Sequence, residues 1–332
     1  MLVDAYGRVL DYLRVSVTDR CNFRCVYCMP ESGVEWKPHA EMLSFEEALR
    51  VCRIMAGLGV GKIKLTGGEP LLRRGLASFV ENLKTAGGIE KVTLTTNGVL
   101  LGAYLDDAET ARRAALPDGV NISLNALDGG RFAKVTRNAL SGPEEIICLV
   151  DRLLAMGIPV KINCVPVRGF NEADILPLAA LARDRNIAVR FIELMPLGCA
   201  ANLEFISGGE VAALVEKAWG GLVPCGGVDG SGPAVYYGLA GFSGSIGFIN
   251  AVSHGFCETC NRLRLTSSGF LKLCLSGDAG LDLRELLRGG AGDEEIARAV
   301  TAVVAHKPRF HNFSAVYGAA GRHPGGMFAI GG

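Results

Sequence analysis

A chain of 332 residues, 49% of them hydrophobic, can bury one large core or two smaller ones. Its 34 basic and 34 acidic side chains cancel, which excludes a global field that draws nucleic acid or an anionic membrane, so any anion site must be a local cluster of Arg and Lys. The opening Met1-Leu2-Val3-Asp4-Ala5-Tyr6 has neither the basic start nor the apolar run of a secretory signal, and no stretch approaches a membrane span, so a cytoplasmic protein with reduced cysteines is expected.

From Leu13 to about Met195, β-branched runs alternate with amphipathic helical patterns. The expected strands are Leu13–Thr18, Lys62–Thr66, Val92–Thr96, Val120–Leu124, Val160–Val165 and Val189–Leu194. Between the first two lies a helix over Ser44–Gly57, where Ser44 and Glu47 have the spacing of a capping box. Strands alternating with helices predict parallel pairing. Polar or charged groups close each strand: Thr18-Asp19-Arg20, Thr66-Gly67-Gly68-Glu69, Thr95-Thr96-Asn97, Ser123-Leu124-Asn125, Asn163 and Glu193-Leu194-Met195. Chemistry at the carboxyl ends of many strands is the habit of barrels, so the expected fold class is α/β, an incomplete (βα)6 TIM-type barrel.

After Pro196 the rhythm breaks into one helix (Gly209–Trp219), a glycine-rich passage (Gly226–Gly232) and short strand-like runs at Tyr236–Leu239, Ser245–Ile249, Leu263–Thr266 and Phe270–Leu275. Two late helices follow, near Leu281–Leu287 and Asp293–His306. The expected organisation is a partial barrel over 1–200 and, over 201–332, a smaller α+β unit that covers the barrel's open side rather than completing it.

Six of the eleven cysteines fall into short spacings: Cys21, Cys25 and Cys28, then Cys257, Cys260 and Cys274. A [4Fe–4S] cube normally takes four thiolates, so a set of three leaves one iron open for an outside ligand. For the second set, a zinc site completed by His254 is a chemically reasonable alternative, since zinc accepts Cys and His together. Arg262 and Arg264 alternate along a strand-like run and so share a face, where guanidinium forks suit phosphate oxygens. There is no P-loop to cradle a nucleotide with backbone.

The Cys21-Asn22-Phe23-Arg24-Cys25-Val26-Tyr27-Cys28 loop, followed by Gly67-Gly68-Glu69-Pro70, resembles the radical S-adenosylmethionine enzymes. The second cysteine set beside Asn261-Arg262-Leu263-Arg264, with the terminal Gly331-Gly332, resembles the GTP 3′,8-cyclases that open molybdenum cofactor biosynthesis. That resemblance implies two [4Fe–4S] clusters, S-adenosyl-L-methionine contacts at Tyr27, Gly68, Ser123 and Met195, and GTP contacts at Arg14, Lys64, Thr95, Lys161, Arg190, Arg262, Leu263 and Arg264. It implies catalytic roles for Cys21, Cys25, Cys28, Arg262 and Arg264, and a Gly-Gly tail that reaches the active site. As partners it implies an electron donor, hand-over of product to cyclic pyranopterin monophosphate synthase, and a homodimer. Two positions depart from the family pattern: Lys64 replaces an Arg, keeping charge without the fork, and Asn125 replaces an Asp beside Ser123. Competing readings are a peptide-modifying radical enzyme, an electron carrier and a zinc-stabilised binding module; the first needs a peptide groove and the second has little use for a large barrel.

Overall fold

The structure is a computed structural model, and it describes residues 1–111, 113–226, 232–311, 313 and 327. All of its strands join one twelve-stranded sheet. The six expected strands are present in order: β1 (Tyr12–Ser16), β2 (Lys62–Thr66), β3 (Lys91–Thr96), β4 (Val120–Ser123), β5 (Val160–Cys164) and β6 (Ala188–Ile192). Each pairs parallel with the next. The intervening helices are α1 (Phe45–Gly57), α2 (Leu76–Thr85), α3 (Leu101–Ala111), α4 (Gly129–Thr136), α5 (Pro143–Ala155) and α6 (Ile175–Asp184). Ser44 caps α1 as its spacing predicts: its hydroxyl accepts from Glu47 N at 3.1 Å while Glu47 Oε2 accepts from Ser44 N at 2.7 Å.

The later elements are α7 (Gly208–Trp219), β7 (Val223–Pro224), β8 (Val235–Gly238), β9 (Ser245–Ile249), β10 (Arg262–Leu265), β11 (Phe270–Lys272), β12 (Gly280–Asp282), α8 (Leu283–Arg288) and α9 (Asp293–Val304). They do more than cover the opening. Strand β9 pairs parallel with β6, and β10 pairs parallel with β1, opposing Arg264 to Arg14 and Arg262 to Tyr12. The parallel run therefore counts eight strands, β10-β1-β2-β3-β4-β5-β6-β9, with antiparallel strands beyond each end. The two ends are not paired with one another, so the barrel stays open. Residues 250–261, which carry Cys257 and Cys260, connect β9 at one end of the parallel run to β10 at the other.

Two late boundaries differ from expectation. Gly280–Asp282 is strand, because Leu281 pairs with Leu271, and the following helix starts only after Asp282, whose side chain accepts from Glu285 N at 3.1 Å. Strand β7 gave no sequence signal; its Pro224 is tolerated at a sheet edge, where a missing N–H breaks no ladder.

Successive side chains of each strand point to opposite faces of the sheet. Leu13, Val15, Ile63, Leu65, Val92, Leu94, Ile122, Ile162, Val189, Phe191, Ile246, Leu263 and Leu265 are buried in the main core, with α2 packed on β3, α5 on β5, and α6 and α7 on β6. Burying such side chains contributes roughly 1.5–3 kcal/mol each before entropy is counted. The opposite face carries Tyr12, Arg14, Lys64, Thr95, Ser123, Asn163 and Arg190, which line an interior cavity. Polar and charged side chains from several strands, turned into a lumen that stays open, leave space for a ligand, where a packed lumen would be filled with Val, Ile and Leu.

Candidate active site

The cavity has a volume of about 290 Å³, and both cysteine sets line it. At one wall stands the loop after β1. Phe23, Val26 and Met29 are buried, Phe23 against Phe132 of α4 with ring centroids 5.8 Å apart, while Cys21, Cys25, Tyr27 and Cys28 face the cavity. Backbone bonds from Arg24 N to Thr136 O and from Val26 N to Val135 O, both 2.9 Å, dock the loop on the end of α4. Burial pushes the Cys21 thiol up to about 11 and the Cys25 thiol up to about 12. Both are protonated at neutral pH until a metal displaces the proton.

The Gly67-Gly68 pair presses against this loop. Gly68 N donates to Thr18 O at 2.8 Å and Glu69 N to Arg20 O at 2.7 Å. A Cβ on Gly67 would stand 2.5 Å from Thr18 O, and one on Gly68 would collide with Arg20 O. Neither glycine has a positive φ, so close backbone approach, not a left-handed turn, is what excludes a side chain here. Glu69 behind them is buried and accepts from Thr96 Oγ1 (2.7 Å), Asn97 N (2.7 Å) and Leu71 N (3.0 Å). Burial raises its carboxyl to about 7, against the pull of those donors.

Five cations from the strands, Arg14, Lys64, Arg190, Arg262 and Arg264, line the same cavity, together with Lys307. Arg190 is aimed by its neighbours, donating from Nε to Asn163 Oδ1 and from Nη2 to Asn121 Oδ1, each at 2.8 Å. Asn121 is tied in turn to Thr95 Oγ1 at 3.3 Å. Burial pulls the Lys64 ammonium well below the usual lysine value, and Arg190, Arg14, Lys161 and Lys91 push it the same way. Burial likewise lowers Arg14 and Arg264. Cations crowded together at this cost define a site for a polyanion.

Cys257, Cys260 and Cys274 line the cavity beside these cations. His311 N donates to Cys257 Sγ at 3.4 Å and Arg262 Nη2 to Cys260 Sγ at 3.6 Å. Burial pushes Cys260 up, but Arg262 and Lys307 outweigh it and the net shift is downward, toward thiolate. His254 is exposed with its ring on Ser253 Oγ at 3.1 Å, and it does not line the cavity. Among the described residues no three His, Cys, Asp or Glu side chains converge on a single ion. Thiolates on a cube each bind a different iron, so three cysteines along one wall have the donor chemistry for a cluster. Both cysteine sets thus have the donor chemistry for a cluster, and the room in front of them suits further ligands.

The Radical SAM superfamily model matches residues 15–182, and the Molybdenum Cofactor Synthesis C model matches 187–313. A GTP 3′,8-cyclase of Pelotomaculum thermopropionicum is 45% identical over 314 residues, covering 93% of this chain and 94% of that one. This chain belongs to the GTP 3′,8-cyclase family. A second GTP 3′,8-cyclase, from Moorella thermoacetica, is 40% identical over 332 residues and 99% of both chains. Among solved structures, Streptococcus suis SuiB bound to S-adenosylmethionine superposes with a TM-score of 0.57 at 14% identity, covering 88% of this chain and 68% of that one, a likeness of fold. Members of the GTP 3′,8-cyclase family carry two [4Fe–4S] clusters and use S-adenosyl-L-methionine.

The fold gathers most of the residues singled out from the cyclase resemblance. Tyr27, Gly68, Ser123 and Met195 line the cavity with Arg14, Lys64, Thr95, Arg190, Arg262, Arg264 and all six cysteines. Two do not join them in the same way. Lys161 lines an adjoining recess that shares Tyr12, Lys64 and Arg190 with the main cavity, and its ammonium stands 5.6 Å from the Tyr236 ring centre. The Leu263 side chain is a correction: it is fully buried in the apolar core, because a strand that turns Arg262 and Arg264 inward must turn Leu263 outward, so only its main chain remains on the ladder near the site. Gly331 and Gly332 lie outside the described residues, although Met327 lines the cavity.

Sequence reasoning missed Tyr12, Asn121 and Lys307. The signal for the first two was the two-residue alternation, which places Tyr12 with Arg14 and Asn121 with Ser123. Asn125, the departure from the family's Asp, donates from Nδ2 to Tyr27 Oη at 2.9 Å and accepts from Val165 N at 2.9 Å. An amide performs both tasks at once, whereas a carboxylate only accepts.

Proposed function

We propose that this chain converts GTP to 3′,8-cyclo-7,8-dihydroguanosine triphosphate, the first step of molybdenum cofactor biosynthesis. The observation that carries it is two cysteine triads and six cations, Arg14, Lys64, Arg190, Arg262, Arg264 and Lys307, lining one barrel lumen. When bound, the cluster on Cys21, Cys25 and Cys28 and S-adenosylmethionine supply the radical that removes hydrogen from C3′ of GTP, and the cluster on Cys257, Cys260 and Cys274 receives the guanine. Arg14, Lys64, Lys161, Arg190, Arg262 and Arg264 hold the ribose and triphosphate by charge-assisted hydrogen bonds, with Thr95 beside them and the Leu263 main chain completing the strand between two of the arginines. Tyr27, Gly68, Ser123 and Met195 shape the cofactor's end of the lumen. Residues 1–200 act as the radical-generating unit and 201–332 as the substrate unit.

The chain's own contribution is to fix C3′ near C8 and keep water from the lumen. C3′ loses one hydrogen, a C3′–C8 bond forms, and one electron with one proton completes the product, which is therefore an isomer of GTP. An external reductant, hand-over of the product to cyclic pyranopterin monophosphate synthase, and a homodimer complete the reading. The test is anaerobic incubation of reconstituted protein with dithionite, S-adenosylmethionine and GTP, separated by chromatography before mass spectrometry. A species of GTP mass with a new retention time, formed with 5′-deoxyadenosine and absent in Cys25→Ala, is expected; cofactor cleavage indifferent to GTP would overturn the substrate assignment.

A further inference from the structure

Lys307, just after α9, is 3% exposed, yet no ion pair joins it to a carboxylate among the described residues. Its Nζ donates to Arg262 O at 3.0 Å and to Leu273 O. Those carbonyls stand two residues after Cys260 and one before Cys274, and Lys307 lines the cavity with both. The third cysteine is held likewise from outside: Arg8 Nη1 donates to Cys257 O at 2.7 Å and to Arg309 O at 3.0 Å, while Nη2 donates to Pro308 O at 2.8 Å. Arg8, however, is neutralised by Asp4 at 2.6 Å. Of the two buried cations that clamp this cysteine set, Lys307 is the one with no carboxylate as counter-charge among the described residues.

A buried charge without an opposite one costs several kcal/mol and persists where an anion fills the space before it. A cube held by three thiolates is a net anion, and reduction adds to its charge.

We propose that Lys307 is the counter-cation and positioning residue of the cluster on Cys257, Cys260 and Cys274, fixing the backbone that carries two of the ligands and stabilising the reduced cluster. The inference rests on the reading of those cysteines as cluster ligands. A fixed cation favours the form with the extra electron, so its loss lowers the midpoint potential.

The experiment uses the full chain with Cys21, Cys25 and Cys28 all changed to Ala, which leaves the second site alone, and compares Lys307 with Lys307→Gln and Lys307→Arg. Gln keeps a donor without charge; Arg keeps the charge. After anaerobic reconstitution, iron and sulfide are counted and a reductive titration is followed by electron paramagnetic resonance. The parent should hold about four irons per chain. Lys307→Gln should lose iron or shift the midpoint to more negative potential, and Lys307→Arg should lie near the parent. Equal iron, spectrum and midpoint in the Gln variant would overturn the inference while leaving the cluster reading intact. A parent that takes up no iron removes both together. Circular dichroism of the iron-free proteins separates charge from folding: the Gln variant should melt no lower than its parent, and a variant that has lost its fold would overturn the counter-cation role.

Discussion

Lys64 shows how one residue's energetics follow from its surroundings. Its folded pKa is lowered by burial and then by four neighbouring cations. Across the window between that lowered value and 10.5 the folded chain binds fewer protons than the unfolded one, so stability rises as pH rises through the window. A triphosphate reverses the balance, since the charged ammonium gains a partner. GTP binding should therefore take up protons, and affinity should fall as pH climbs through the same window. Calorimetry in buffers of different ionisation enthalpy reads the sign, and proton release would contradict the placement of Lys64 against the anion. Lys64→Met should raise the melting temperature of the nucleotide-free protein yet weaken GTP binding by roughly 1.5–3 kcal/mol, the worth of a hydrogen bond to a charged group.

At the scale of elements, the turn after β2 and the cysteine loop after β1 are one unit. Thr18 O and Arg20 O accept from Gly68 N and Glu69 N, and the glycines make room for that contact. Gly68→Ala must displace the loop, because the atom it strikes is backbone. The expected outcome is a loss of roughly 1–3 kcal/mol, typical of overpacking. The same variant should lose iron at Cys21, Cys25 and Cys28 while keeping it at Cys257, Cys260 and Cys274, about half of about eight irons per chain. Melting curves and iron content on one preparation decide it; full iron loading would show that the turn yields and the loop does not depend on it.

For the whole molecule, the consequence of β9 and β10 is that residues beyond 200 supply both neighbours of the six-stranded run. A fragment ending at residue 200 would leave β1 and β6 as bare parallel edges, the arrangement that invites intermolecular pairing. Such a fragment should aggregate, and the intact chain should unfold in a single transition with β9 and β10 exchanging amide hydrogens no faster than β2 or β3. A monomeric 1–200 fragment with native circular dichroism would show that the two stretches fold independently.

The sequence by itself determined the βα repetition, the helix cap at Ser44, both cysteine triads and the shared face of Arg262 and Arg264, because these depend on spacing along one element. It also determined the family, through motifs whose order alone is informative. Tertiary structure decided the rest. That β10 lies beside β1 rather than following β9 across the sheet brings Arg262 and Arg264 next to Arg14, and no local pattern states which distant strands pair. That Leu263 belongs to the core follows from which face the sheet turns inward. The roles of Gly67, Gly68, Arg8 and Lys307 arise from contacts with backbone up to 301 residues away, as between Arg8 and Arg309. Periodicity reports what a residue's own element needs, and only the assembled fold reports what approaches it.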